Sequence, residues 1–335
     1  MNKLLFFISI LLIVNAPAVA AGKFISPKNK NIKYVGRWDK SDANDFHSYW
    51  GGAYITIKFR GNEVNIKLAA PVNIYVKIDE GPMVLFKKAS RWVKITPDSL
   101  SNAIHHLRVI AKFQDDEIQL AGLALNENGK LLKPGKKKDL VEFIGDSITS
   151  GDRTSNGNTS AYPWLCGELL DVKHTQISYC GIPLTDGYHF TYKGAPEIGM
   201  ESVYFKLKQP NHNFDPDWNF KNYTPKVIVI NLGTNDGSLG VPPTLFREHY
   251  ARFIQRIRTI FPKGILAVLI PFKGSYQNEI RDMVQKDFSG DHRVKIIETE
   301  GWLKPSDTKD STHPTDEGHV LIANKLSGII KGYLG

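Results

Sequence analysis

The chain changes its hydrophobic rhythm once. From residue 32 to about residue 130, apolar and polar positions alternate in short runs: AYITIKF (53–59), EVNIKLA (63–69), VNIYVKID (72–79) and HHLRVIAKF (105–113). Alternation with period two is the mark of a strand with one buried face. Turn chemistry separates the runs at Arg60-Gly61-Asn62, Asp79-Glu80-Gly81 and Pro97-Asp98. Short antiparallel strands at this spacing predict an all-β sandwich of jelly-roll type over residues 23–130. The polar, Gly- and Pro-bearing stretch at 131–138 is the predicted linker.

Residues 139–335 read differently. LVEFIG, TQISYC, KVIVINLG, ILAVLIP and VKIIET are nearly continuous apolar runs, and segments of helical period over 161–170, 243–261, 276–288 and 316–333 separate or follow them. Strands apolar on both faces and joined through helices predict a five-stranded parallel sheet covered on two sides. The fold class is α/β, flavodoxin-like, with ligand chemistry at the carboxyl ends of the strands.

Composition adds the compartment and the kind of partner. A length of 335 residues, 41% hydrophobic and 23% charged, fits two ordinary globular domains. Lys3, the apolar run Leu4–Val14 and Ala18-Val19-Ala20 have the layout of a signal peptide over residues 1–20. The protein is therefore expected to be secreted or periplasmic. No apolar run of 18 residues follows residue 20, so no membrane insertion is expected. The formal charge of +9 favours acidic partners, which for an exported protein are anionic polysaccharide or envelope surface rather than nucleic acid. The KPGKKK run (133–138) is too short to argue for nucleic acid and reads as solvated linker. Cys166 and Cys180 could pair in an oxidising compartment or stay as two buried thiols. Cysteine, histidine and acid residues do not cluster, so no metal site is predicted.

The predicted topology brings several loops to one edge of the parallel sheet. Ser147 follows the first strand, Gly181 the second and Asn235 the third, while Asp310 and His313 precede the last helix. A hydroxyl, a backbone amide, a carboxamide and an acid–imidazole pair are what acyl transfer through serine requires. Serine is a poor nucleophile until an imidazole takes its proton. The oxyanion needs fixed donors, each contributing roughly 2.7–4 kcal/mol to lowering the barrier. An acid behind the imidazole holds the useful tautomer.

GDSIT (145–149), Gly181, GTND (233–236) and DSTHP (310–314) resemble, in order, the four blocks of the SGNH (GDSL-type) hydrolase superfamily. The resemblance implies Ser147 as nucleophile and His313 as base. It implies an oxyanion hole made by the backbone amides of Ser147 and Gly181 with the Asn235 side chain, and no cofactor. The N-terminal segments VGRWD and FHSYWGGAYITIKFRG, fused to such a domain, are similar to carbohydrate esterase family two. Members of that family remove acetyl groups from polysaccharides such as xylan and glucomannan. The substrate implied is thus an acetylated carbohydrate, with anionic ones included by the charge. Some members of that family work with a Ser–His pair alone; Asp310, three residues before His313, implies a triad here.

Each residue also has a plainer role to set beside the chemical one. Asp146-Ser147 before a helix could be a cap, Asn235 could bond its own loop, and Gly181 could serve a turn. Asp146 is expected to shape the turn, and His319 to face solvent or pack on its helix. Thr149 stands where the last glycine of a G-x-S-x-G elbow would be, which argues against an α/β-hydrolase. The long connection 182–224, with Tyr188, His189, Phe190, Tyr192, Tyr204 and Trp218, could stack on sugar rings or form its own small core; Trp302 near His313 could also stack on sugar. An O-acetyltransferase, a lipid esterase or thioesterase, and a non-catalytic glycan-binding protein remain alternatives to an O-acetyl esterase.

Overall fold

A computed structural model describes residues 10–11, 22–135, 138–213 and 216–335. Apart from Ile10–Leu11, the expected leader lies outside the described residues. The chain divides into two compact units, Met1–Lys137 and Lys138–Gly335.

In the first unit every pairing among residues 22–132 is antiparallel. The organising element is one long strand, Val64–Ile78. Its first half pairs with Gln119–Leu125 and its second half with Ala103–Ala111, while Met83–Lys94 runs beside both halves. The register breaks between Leu68 and Val72, around Pro71. A proline has no N–H to give to the ladder, and a bulge is where a strand tolerates one. This strand therefore passes from one set of partners to another and wraps the sheet around a core that includes Ile57, Phe59, Ile66, Ile74, Val109 and Leu123.

Two expectations change here. The runs 63–69 and 72–79 are one bulged strand rather than two. Leu131 and Leu132, at the start of the expected linker, belong to a strand Lys130–Leu132 paired with Lys58–Arg60. The strands Met83–Lys94 and Gln119–Leu125 gave no clear alternation. In the first, Lys87 and Lys88 are both exposed, with Lys88 in the left-handed region (φ 49°); the second is rich in Ala and Gly, which are poor strand formers.

The second unit holds a parallel sheet: β1 (Leu140–Gly145), β2 (Lys173–Ser178), β3 (Val227–Asn231), β4 (Ile265–Leu269) and β5 (Val294–Ile297). The order is β2-β1-β3-β4-β5, the flavodoxin-like arrangement expected from the apolar runs. Every residue of β1 and β3 is buried. The principal helices are α2 (Tyr162–Leu170), α5 (Pro243–Ile260), α6 (Gln277–Asp287) and α7 (Asp316–Leu334), each end within one residue of its sequence prediction. Short turns α1 (Ser147–Ser150), α3 (Met200–Val203) and α4 (Thr234–Ser238) complete the set. Among the described residues no helix is long and apolar enough to cross a membrane.

Two polar contacts pin this unit together. The buried Glu142 of β1 accepts from Tyr204 Oη at 2.6 Å and from the Tyr223 hydroxyl, fastening the 182–224 connection to the sheet. On the other face, α2 and α7 pack on Val141, Phe143 and Val229. His319 of α7 does not face solvent. It is fully buried, its ring lies parallel to that of Tyr162, and its Nδ1 accepts the Tyr162 N–H at 3.1 Å.

Burial holds the His319 imidazole neutral, pushing its pKa down to about 3. Between the ordinary histidine value and pH 3 the unfolded chain binds a proton here that the folded chain does not. Stability therefore rises with pH through that window, by about 1.4 kcal/mol per pH unit from this group. His319→Asn keeps an acceptor for Tyr162 but removes the titration. Urea midpoints measured from pH 6 down to pH 4 should fall less steeply in the variant; equal slopes would show that His319 is not the titrating group.

Candidate active site

The site begins where β1 ends. Asp146 caps α1, with Oδ1 accepting the Ile148 N–H at 2.9 Å, and Gly151 in the left-handed region (φ 76°) stops the helix after one turn. A Cβ on Gly145 would lie 2.0 Å from Thr149 Oγ1, so only glycine lets the turn close this tightly. Thr149 Oγ1 in turn hydrogen-bonds Tyr162 Oη at 2.8 Å. The result is a short, braced strand-to-helix corner with Ser147 at its head.

His313 reaches that corner from the loop before α7. Its Nε2 lies 2.9 Å from Ser147 Oγ and its Nδ1 2.8 Å from Asp310 Oδ2. An ionised carboxylate can only accept, so Nδ1 carries the proton and Nε2 is left to accept from the serine hydroxyl. Asp310 is held by its own turn: Oδ1 accepts the His313 N–H at 2.8 Å and the Thr312 N–H at 3.2 Å. Partial burial alone would raise its pKa, but these N–H bonds and the His313 ring hold the carboxyl well below the usual range. Arg153 Nη1 adds an ion pair to Oδ2 at 2.9 Å.

The loops carrying the expected oxyanion donors are tied to each other. Gly181, after β2, has φ +75°. Asn235, in α4, donates from Nδ2 to the Ile182 carbonyl at 2.8 Å. That bond is to the neighbouring loop rather than to its own, and it uses one of the two Nδ2 hydrogens. Asp236 accepts the N–H groups of Leu184 (2.8 Å) and Thr185 (3.0 Å), locking the same loop. Asp146 shapes its turn as expected, and burial, opposed by the Ile148 N–H and aided by the Asp236 charge, pushes its carboxyl up to about 7.

Asp152 and Arg153 were not anticipated from the sequence. Asp152 Oδ2 lies 3.6 Å from His313 Nε2, and Arg153 grips Asp310. The available signal was their place directly after Gly151, at the end of the serine's own turn. The Arg153 carbonyl accepts from Lys309 Nζ, and Ser155 N–H bonds Asp316 Oδ1 at 3.0 Å, so the serine and histidine loops are stitched on both sides.

The aromatic connection splits in two. Tyr204, Phe205 and Phe220 pack edge-on or tilted with one another, with Phe253 and Phe261 of the α5 region joining them; they form a small core rather than a sugar surface. Tyr192 instead is 53% exposed, stacks on Phe190, and places its hydroxyl where a Gly181 Cβ would be, 1.9 Å from it. Trp302 packs against Phe272 and the core beneath α7. Cys166 and Cys180 are free thiols, and burial pushes the Cys166 thiol up.

Comparison with known proteins assigns each unit to a known family. The carbohydrate esterase 2 N-terminal family matches residues 34–134. The chain is 29% identical over 339 residues to the cellulase/esterase CelE of Acetivibrio thermocellus, covering 92% of this chain and 40% of that much longer protein. It is 26% identical over 327 residues to an acetylxylan esterase/glucomannan deacetylase of Cellvibrio japonicus, covering 86% of each. A family two carbohydrate esterase from Clostridium thermocellum, solved with cellohexaose, superposes with a TM-score of 0.79 at 26% identity over 91% of this chain and 99% of that one. The GDSL-like lipase/acylhydrolase family matches residues 143–321, which hold Ser147, Gly181, Asn235, Asp310 and His313, and the chain belongs to that family.

Proposed function

We propose that this protein is an exported serine esterase that removes O-acetyl groups from polysaccharides or oligosaccharides of the xylan or glucomannan kind. The observation that carries the reading is the continuous hydrogen-bonded path from Ser147 Oγ through the His313 ring to Asp310. The names borne by the relatives support the acetylated glycan as substrate.

In this mechanism Ser147 Oγ attacks the acetyl carbonyl carbon as His313 Nε2 takes the hydroxyl proton. The carbonyl oxygen becomes an oxyanion that accepts from the Ser147 and Gly181 N–H groups and from the second Nδ2 hydrogen of Asn235. Collapse of the tetrahedral intermediate breaks the bond to the sugar oxygen, which leaves with the proton from Nε2. Water then gives a proton to His313 and attacks the acetyl-enzyme; acetate departs and Ser147 recovers its proton. Asp310 stays ionised and stabilises the imidazolium in both halves.

Ser147→Ala should abolish acetate release from p-nitrophenyl acetate with the circular dichroism spectrum unchanged; retained turnover would remove serine from the nucleophile role. Asn235→Ala should lower kcat by about 10²–10³-fold, the cost of one oxyanion donor. Asp310→Asn separates triad from dyad. A fall in kcat on the order of 10⁴-fold marks a working acid, whereas near-normal rates mark a Ser–His pair.

A further inference from the structure

Ionisable side chains form a closed ring around the His313 imidazole. Asp310 Oδ2 accepts from His313 Nδ1 at 2.8 Å and pairs with Arg153 Nη1 at 2.9 Å. Arg153 Nε lies 3.9 Å from Asp152 Oδ2, and that oxygen lies 3.6 Å from His313 Nε2. The proposed triad uses only the Nδ1 side of this ring. Asp152, on the Nε2 side, has no part in it.

Asp152 is mounted on the serine's own turn. Its N–H returns to the Ser147 carbonyl at 3.0 Å as the chain leaves Gly151. Arg153 follows in the left-handed region (φ 61°), where a residue with a Cβ is strained. This bend gives the Arg153 N–H to Asp152 Oδ1 at 2.9 Å and leaves Oδ2 facing Nε2. The turn needs only an acceptor at Oδ1, which an asparagine supplies equally well. Pairing with Arg153 does not explain the charge either, since that contact is long and the guanidinium is already held by Asp310.

At 3.6 Å the contact between Asp152 and Nε2 is too long for a hydrogen bond and close enough for a charge interaction. In the resting enzyme Nε2 carries a lone pair and no proton, so Oδ2 and Nε2 meet acceptor to acceptor and gain nothing. Once the Ser147 proton moves to Nε2, the imidazole is a cation with a carboxylate beside each nitrogen. Two acids are then balanced by Arg153 and the imidazolium, where before they were in surplus. An interaction made only with the imidazolium lowers the barrier rather than tightening the resting complex. A carboxylate already held in place needs no reorganisation to make it.

We propose that Asp152 is a second acid for His313. It stabilises, from the Nε2 side, the imidazolium that forms when Ser147 attacks and again when water attacks the acetyl-enzyme. Asp152 takes up no proton, and Arg153, between the two acids, lets both stay ionised beside one imidazole. Neighbouring groups are otherwise engaged: Lys309 Nζ donates to the Arg153 carbonyl, Lys273 Nζ to Thr312 Oγ1 at 3.2 Å, and Asp316 accepts from Ser155. His319 is buried and neutral, and burial, with Cys180 and Asp152 nearby, pushes the Tyr192 hydroxyl up. The inference rests on the proposed esterase function, because a histidine that accepts no proton would give Asp152 nothing to stabilise.

The test compares Asp152→Asn, which keeps the Oδ1 acceptor and removes the charge, with Asp152→Ala, which removes both. On p-nitrophenyl acetate, a substrate without sugar hydroxyls, kcat of Asp152→Asn should fall about tenfold or more. The acid limb of kcat/KM against pH reports the free enzyme's base, and it should move to lower pH in this variant, because one acid no longer favours the protonated ring. Asp152→Ala should lose a similar amount. Normal kcat in Asp152→Asn beside a loss in Asp152→Ala would reduce the residue to its turn and overturn the proposal. A loss confined to KM, or to acetylated xylo-oligosaccharide, would also overturn it by making Asp152 a contact to the sugar. A wild type that releases no acetate from either substrate would instead remove the esterase reading, and this inference with it.

Discussion

The chemistry proposed for this site depends on the orientation of one imidazole ring. Asp310 fixes it, because an ionised carboxylate can only accept and so compels the proton onto Nδ1. The carboxylate is itself fixed by two N–H groups of its own four-residue turn and by Arg153. Hydrogen bonds to charged groups contribute about 1.5–3 kcal/mol each, so a ring that turned away would forfeit one of them and leave Asp310 under-bonded. Ser147 thus meets Nε2 with its lone pair free because of a local turn far from the serine in sequence.

Beneath that contact, the carboxyl edge of the sheet is built around buried acids that accept backbone N–H groups. Asp146 caps the serine turn from below, and Asp236 takes two N–H groups from the loop after β2. Both carboxyls are raised by burial, and the charge of Asp236 raises Asp146 further. Such groups are costly to bury unless bonded. Their role is to fix the backbone from which the expected oxyanion donors project, so the GDS and GTND blocks each carry one residue of the proposed chemistry and one for the frame. Asn235 belongs to both, since its amide also bonds Ile182.

The second unit was legible in the sequence because its signals are local and redundant. Five apolar runs fixed the parallel sheet, helical periodicity fixed the helix ends, and the sheet topology then required the serine and histidine loops to meet. The first unit was less legible. Strand Val64–Ile78 looked like two strands because its bulge falls at Ala-Pro, and Gln119–Leu125 looked like nothing because small residues do not alternate visibly. Asp152 and Arg153 escaped for another reason: their importance comes from contacts with Asp310 and His313, more than 150 residues away in sequence, and no spacing rule reports such a contact. His319 shows the same limit, since a helical histidine can equally face solvent or pack until the partner helix is known.

An O-acetyl ester is neutral, so no long-range field can select the scissile group itself; that selection has to come from short-range contacts at Ser147 and its surroundings. A field can act only on charges carried elsewhere on the proposed substrate. Exposed charges are screened beyond about 8 Å at physiological ionic strength, so the exposed cations of the first unit act only on groups lying close to them.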